Sequence, residues 1–417
     1  MTDVLDTRRP TRLPAAFNRL AWSNLAAQSA EQIALAAAPI VAVLLLHADA
    51  GATGALQTAV TLPFLLFAIP AGLLADRMSR RTLMVVAEAV RALALTGILL
   101  LLVTGGLTLW WMALLGFASV CGTVAYSVAA PALVPALVGQ SDLAAANSRI
   151  ELARTIAFAG GPALGGALVG WIGGASAFGI AAALSLAAVL LLARIAEPIR
   201  YAPPKRHPWQ ELKDGAAFVA CHPLLRPVFV TQLIFGTASF ALMGVFIPYG
   251  VGHLQLSAVG IGLTLAMYGV GMIVGALLAT RAMRRLPFGV VVALGPVSGF
   301  AASLLMVATI YLPVGALAGL SFFVMGAGPI LWVISTTTLR QAVTPAHLLG
   351  RVSAINILSY GARPLGSAIA ALVGGTFGAE PCLYVAAAGF ALQALVILAS
   401  PVVALRRQPD MMAQAAA

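Results

Sequence analysis

Charge is what this sequence has least of. Only 9% of its 417 residues are Asp, Glu, Lys or Arg, where a soluble domain carries about 25%. Lysine is the rarest of them, confined to Lys205 and Lys213. Neither stands in a glycine-rich loop, so a P-loop nucleotide site is excluded. The three cysteines, Cys121, Cys221 and Cys382, lie far apart without disulfide or zinc spacing, and the five histidines form no ligand pair. Gly-x-Ser-x-Gly and His-Glu-x-x-His are missing, and so is a complete Gly-x-Gly-x-x-Gly. The nearest approach, Gly269-Val-Gly271-Met-Ile-Val-Gly275, lies inside an apolar run, where small residues let helices pack closely. These absences argue against an enzyme, a resident metal and an organic cofactor.

What is present is apolar sequence, 61% of the chain, in long runs rather than amphipathic stripes. The bilayer is the natural solvent for such runs. A spanning helix needs about 20 apolar residues at a rise of 1.5 Å each. That ruler predicts twelve spans: 20–46, 53–75, 82–103, 108–134, 150–170, 175–195, 227–249, 257–280, 287–309, 313–338, 352–373 and 381–404. The first is expected to be a retained span rather than a cleaved signal, since no small-residue cleavage site follows a short apolar core. The expected fold is therefore all-α and integral to the membrane. Its parts are an N-terminal tail (1–18), a six-helix bundle (19–196), a linker (197–226), a second six-helix bundle (227–405) and a C-terminal tail (406–417). Within the linker, Pro203-Pro204-Lys-Arg-His-Pro208 reads as extended chain, and Trp209 to Ala220 as a short helix at the membrane surface.

The halves repeat one another. Ala71 to Arg81 aligns with Gly275 to Arg285, and Gly161-Pro162-Ala-Leu-Gly165 aligns with Arg363-Pro364-Leu-Gly366. Internal repeats of this kind build many transporters. Basic residues then set the topology. The turns 47–53, 104–108, 171–174, 250–256, 311–312 and 374–380 contain no Lys or Arg, whereas the alternate turns collect nearly all of them. Both termini are accordingly expected in the cytoplasm and the chain in the cell (cytoplasmic) membrane. The net charge of +11 is thus a topology signal, and no nucleic-acid partner is inferred from it.

Gly72-Leu-Leu-Ala-Asp76-Arg77-Met-Ser-Arg80-Arg81, between spans 2 and 3, resembles the signature of the major facilitator superfamily. The resemblance extends over nearly the whole chain. It is greatest to the macrolide, drug and siderophore exporters. Four features carry that likeness: an acid in span 1, Glu88-Ala-Val-Arg91 in span 3, Leu212-Lys-Asp-Gly with His222-Pro-Leu-Leu-Arg226, and Leu339-Arg340-Gln to Leu349-Gly-Arg351. The resemblance implies twelve helices in two pseudo-symmetric bundles that rock about a central passage. It implies that Gly72, Asp76, Arg77, Arg80 and Arg81 form a conformational gate. Ser79 stands where the family has a loop glycine, and Ala157 where an upstream glycine is expected. Gly161, Pro162, Gly165 and Gly166 resemble the core of the antiporter motif.

The intramembrane polar residues are the candidates for function. Glu31 lies twelve residues beyond Arg19, about 18 Å up its helix and near mid-membrane. A charge there costs about 3 kcal/mol on insertion scales. Asn24, Gln28 and Glu31 share one helical face and are expected to line a wet passage between the bundles, where Glu31 can carry a proton. The alternative is a fixed structural hydrogen bond. Asn356, Tyr360 and Arg363 form a matching stripe in span 11. Arg363 is either the counter-charge of Glu31, a seat for an anionic substrate group, or structural. Gln57, Thr61, Thr123, Tyr126, Gln232 and Ser239 are weaker candidates for the same cavity. Glu88 with Arg91 and Glu151 with Arg154 are spaced i, i+3 and are expected to be local charge pairs, the first on a peripheral helix.

The function these residues imply is proton-coupled export of a small hydrophobic compound by a monomer, powered by the proton motive force. An uptake symporter and a non-transporting sensor or scaffold of the same fold remain as alternatives.

Overall fold

The computed structural model describes residues 13–67, 70–71, 74, 78–138, 142–196, 208–345, 348, 351–352, 355–356 and 359–407. Six helices form the first bundle: α1 (Ala15–Leu46), α2 (Ala50–Leu66), α3 (Arg80–Val103), α4 (Leu109–Leu137), α5 (Leu143–Trp171) and α6 (Gly174–Ala193). A connecting helix, α7 (Pro208–Cys221), leads to the second bundle. That bundle comprises α8 (Leu225–Gly252), α9 (Ala258–Arg285), α10 (Phe288–Tyr311), α11 (Gly315–Val343), α12 (Ala362–Phe377) and α13 (Ala379–Leu398). Among the described residues, ten helices are long and apolar enough to cross a membrane. α2 covers Ala50–Leu66 and α12 covers Ala362–Phe377, and further helical residues are described at 70–71 and 74 in the second expected span and at 352 and 355–356 in the eleventh. A 3₁₀ turn, Ser359–Gly361, precedes α12.

Turn chemistry sets the helix starts. Asp49, Ser79, Thr108 and Ser257 each accept a hydrogen bond from a backbone N–H in the first turn of α2, α3, α4 and α9, meeting donors that no helical carbonyl can reach. Ser79 does so at φ −57°, so the serine in place of the loop glycine imposes no left-handed strain. α7 is held down by the Arg351–Asp214 ion pair at 2.9 Å. At the same arginine-rich end, Arg19 and Arg81 donate to the carbonyls of Arg194 and Ala193, which close the C-terminus of α6, where positive charge is favoured.

In the first bundle α1 packs on α5 and α6, and α3 on α4 and α6; in the second, α11 packs on α9 and α10, and α8 on α12 and α13. The bundles meet along α2 with α12 and α5 with α9. These seams are tight from mid-membrane, where a Cβ on Gly269 would lie 2.4 Å from Cα of Ala159, to the arginine-free end. A Cβ placed on Gly51 would lie 2.6 Å from Cα of Gly375, and one on Gly166 would lie 2.5 Å from the Ala258 carbonyl oxygen and 2.7 Å from Cα of Gly262. Such approaches admit no side chain. Gly166→Leu is therefore expected to wedge this end open. Overpacking costs about 1–3 kcal/mol, which shifts the balance between closed and open states roughly 5- to 150-fold. Spin labels at Thr108 and Leu312, in turns of the two bundles at this end, check it: an unchanged distance distribution would show that the glycine seam does not hold the bundles together.

Candidate functional site

α1 brings Glu31 to the middle of the first bundle, and α3 brings Glu88 and Arg91 to the same depth. Arg91 is the hub. Its Nη1 lies 2.7 Å from a Glu88 carboxylate oxygen and donates to the Ala27 carbonyl at 3.0 Å. Its Nη2 donates to Thr123 Oγ1 at 2.7 Å and lies 3.8 Å from Glu31. Gly122 makes this possible: any Cβ there would collide with the Ala87 carbonyl, so only glycine lets α4 bring Thr123 this close to α3.

The two carboxylates are held differently. The Glu88 side chain is 0% exposed, whereas that of Glu31 is 14% exposed and stands farther off. Glu31 also borders a cavity of about 40 Å³ lined by Gln57, Ser119 and Thr123 among apolar neighbours from α1, α2, α3, α4 and α6. That is room for one or two waters. One guanidinium cancels one carboxylate, so the cluster carries a surplus negative charge whenever Glu31 is ionised. Glu31 is the member that can lose its charge to a solvent proton without breaking the tight Glu88–Arg91 pair.

The expected i, i+3 pair of Glu88 and Arg91 is present, but it is not peripheral. Both are buried, and Arg91 is the nearest cation to Glu31. A signal for it was present: Glu31, Glu88 and Arg91 are the only charges deep within the first four spans, and unpaired charges in hydrocarbon seek each other. Arg363 is not the ion-pair partner of Glu31. Its guanidinium carbon lies over the rings of Tyr360 at 4.4 Å, Phe64 at 4.7 Å and Phe240 at 5.3 Å, two of which no charge argument could have singled out.

The other candidates divide. Asn24 is buried and donates to the Ile150 carbonyl, a bond between helices, while Gln28 is half-buried on the same face. Tyr126 is fully buried, 3.5 Å from Ser23, and belongs to the bundle interior rather than to a passage. Thr61 bonds its own helix backbone. Asn356 and Gln232 are half-buried, and Ser239 is buried. Glu151 and Arg154 pair at 2.8 Å with both side chains substantially exposed. In the antiporter-like segment, Gly161 abuts Gln32 and Gly165 abuts Ile33 on α1, while Gly166 and the Pro162 carbonyl meet α9. These residues therefore join α1 to the second bundle. Gly269 packs on Ala159, and Gly271 and Gly275 pack on α11, as close-packing glycines should. Of the gate residues, Arg80 opens α3 and Arg81 caps α6; Gly72, Asp76 and Arg77 lie outside the described residues.

A family model described as "Transmembrane secretion effector" (MFS_3) matches residues 15–415. The chain belongs to this family of the major facilitator superfamily. It is a multi-pass membrane transporter. The transporter is similar to the enterobactin exporter EntS of Escherichia coli O1:K1, with 28% identity over 347 residues covering 81% of this chain and 80% of that one. Among solved structures, it resembles the nucleoside transporter NupG with a TM-score of 0.74 at 15% identity, covering 93% and 99% of the two chains. A bacterial homologue of the iron transporter ferroportin matches with a TM-score of 0.71 in its inward-facing state and 0.61 in an outward-facing state. Both of these are at 16% identity and cover 92% of this chain and 98% of that one.

Proposed function

We propose that this transporter exports a small, largely apolar compound by alternating access, with Glu31 carrying the coupling proton. The observation that carries the reading is the unequal sharing of Arg91. Glu88 neutralises it tightly, while Glu31 remains a loosely held, partly solvated carboxylate at mid-membrane. Intramembrane carboxylates of this kind mark proton relays. Export is supported by the likeness to a siderophore exporter, so siderophore-like compounds join drugs and macrolides as candidate cargo. The arginine-rich end is assigned to the cytoplasm by the charge rule. The close seam at the opposite end, and the higher likeness to an inward-facing relative than to an outward-facing one, support an inward-facing state.

One proton crossing 100 mV supplies about 2.3 kcal/mol, enough to concentrate a neutral solute about fifty-fold. The test is transport in everted membrane vesicles carrying the protein, with an imposed proton gradient and a panel of fluorescent anionic, neutral and cationic compounds. Gradient-dependent accumulation of at least one is expected. If the gradient moves none of them, the proton-coupled reading fails and a scaffold or sensor with this fold takes its place.

A further inference from the structure

Among the described residues, Arg363 is a deep charge that the ion pairs leave unexplained. It sits at the second position of α12, directly after the 3₁₀ turn, at a depth where an ionised side chain normally has a partner. Among the described residues it has none. No carboxylate lies within ion-pairing distance, and no acceptor meets its N–H groups. Its surroundings are aromatic instead, with Phe64 from α2, Phe240 from α8 and Tyr360 from the 3₁₀ turn ranged about the guanidinium. Cation–π contact of this kind occupies none of the guanidinium's hydrogen-bond donors.

The cations nearby have carboxylate partners: Arg154 pairs with Glu151, and Arg91 with Glu88. A deep guanidinium with no ion-pair partner among the described residues, walled by aromatic rings, suits a planar anion carried on an apolar ring.

We propose that Arg363 is the anchor of the transported substrate, and that this substrate is an organic acid presenting a carboxylate-like pair of oxygens on an aromatic body. The assignment rests on the transporter reading above and narrows it, excluding cationic amphiphiles as preferred cargo. The cage also suggests how cargo is let go. Phe64 belongs to the first bundle, and Phe240 and Tyr360 to the second. When the bundles rock apart along α2 and α12, Arg363 loses one wall of its site, and the anion is held less tightly in that state.

The experiment uses two probes with one body and opposite charge, 1-naphthoate and 1-naphthylmethylammonium, and measures equilibrium binding to the purified full-length protein in lipid nanodiscs. Wild-type protein is expected to bind the carboxylate at least about tenfold more tightly than the ammonium, the scale of a charge-assisted bidentate contact. Arg363→Gln is expected to abolish the preference. Arg363→Lys, which keeps the charge but loses the fork, should retain part of it, and it serves as the informative variant if the glutamine protein does not fold. Equal binding of both probes by the wild type, no binding of either, or a preference that survives in both variants overturns the assignment. Binding as expected, with no gradient-driven movement in vesicles, refutes the proton coupling and leaves the anion site standing.

Discussion

Arg91→Ala is expected to cost the first bundle about 3–5 kcal/mol, the usual penalty for removing one partner of a buried ion pair. The loss is large because Glu88, fully buried, has Arg91 as its ion-pair partner. Arg91 also satisfies the Ala27 carbonyl and Thr123, so three helices lose a shared anchor at once. Thermal unfolding of the detergent-purified protein, followed by size-exclusion chromatography, measures the effect. A fall in apparent melting temperature on the order of 10 °C is expected. The control is the double variant Glu88→Leu with Arg91→Met. Replacing both partners by apolar side chains of similar bulk is commonly neutral or stabilising, so it should recover most of the loss, and the coupling can be read from the double-mutant cycle. A single variant that melts with the wild type would mean that the cluster contributes nothing to holding α1, α3 and α4 together.

The second large effect concerns transport rather than stability. Glu31→Gln keeps the shape of the side chain and removes the titrating group. Arg91 keeps Glu88 as its partner at 2.7 Å, so the fold is expected to hold, and the surplus negative charge disappears. Gradient-driven accumulation should fall from about fifty-fold for one proton at 100 mV to no concentration at all. Exchange of labelled for unlabelled substrate across the vesicle membrane should continue, because it needs no net proton movement. Accumulation that persists in Glu31→Gln would move the coupling elsewhere. Loss of exchange as well would make Glu31 a binding residue for the substrate.

Much of the architecture was legible along the chain. Ten of the twelve expected spans correspond to helices long and apolar enough to cross a membrane, and the surface helix expected at Trp209 to Ala220 is α7 (Pro208–Cys221). Hydropathy does not register helix geometry, so it gave no warning of the 3₁₀ turn before Arg363. The functional centre was half legible. Glu31 stands out because a carboxylate in an apolar run is costly, and the spacing of Glu88 and Arg91 gives their pair. The reach of Arg91 to Glu31 is not legible in spacing, which leaves Arg363 open as counter-charge, anion seat or structural residue.

By itself the sequence determined the solvent of this protein, the number and approximate place of its crossings, the two unlike ends and the depth of each buried charge. All of these are sums or positions along one dimension, which composition and a fixed rise per residue suffice to read. Only the tertiary structure decided which charges meet. Successive residues turn about 100° around a helix, and each helix can face several neighbours, so depth alone leaves Glu31 equally free to find Arg91 or Arg363. The packing of α1 and α4 against α3, through glycine and threonine at 122 and 123, settles Arg91 between Glu31 and Glu88 and leaves Arg363 among aromatic rings.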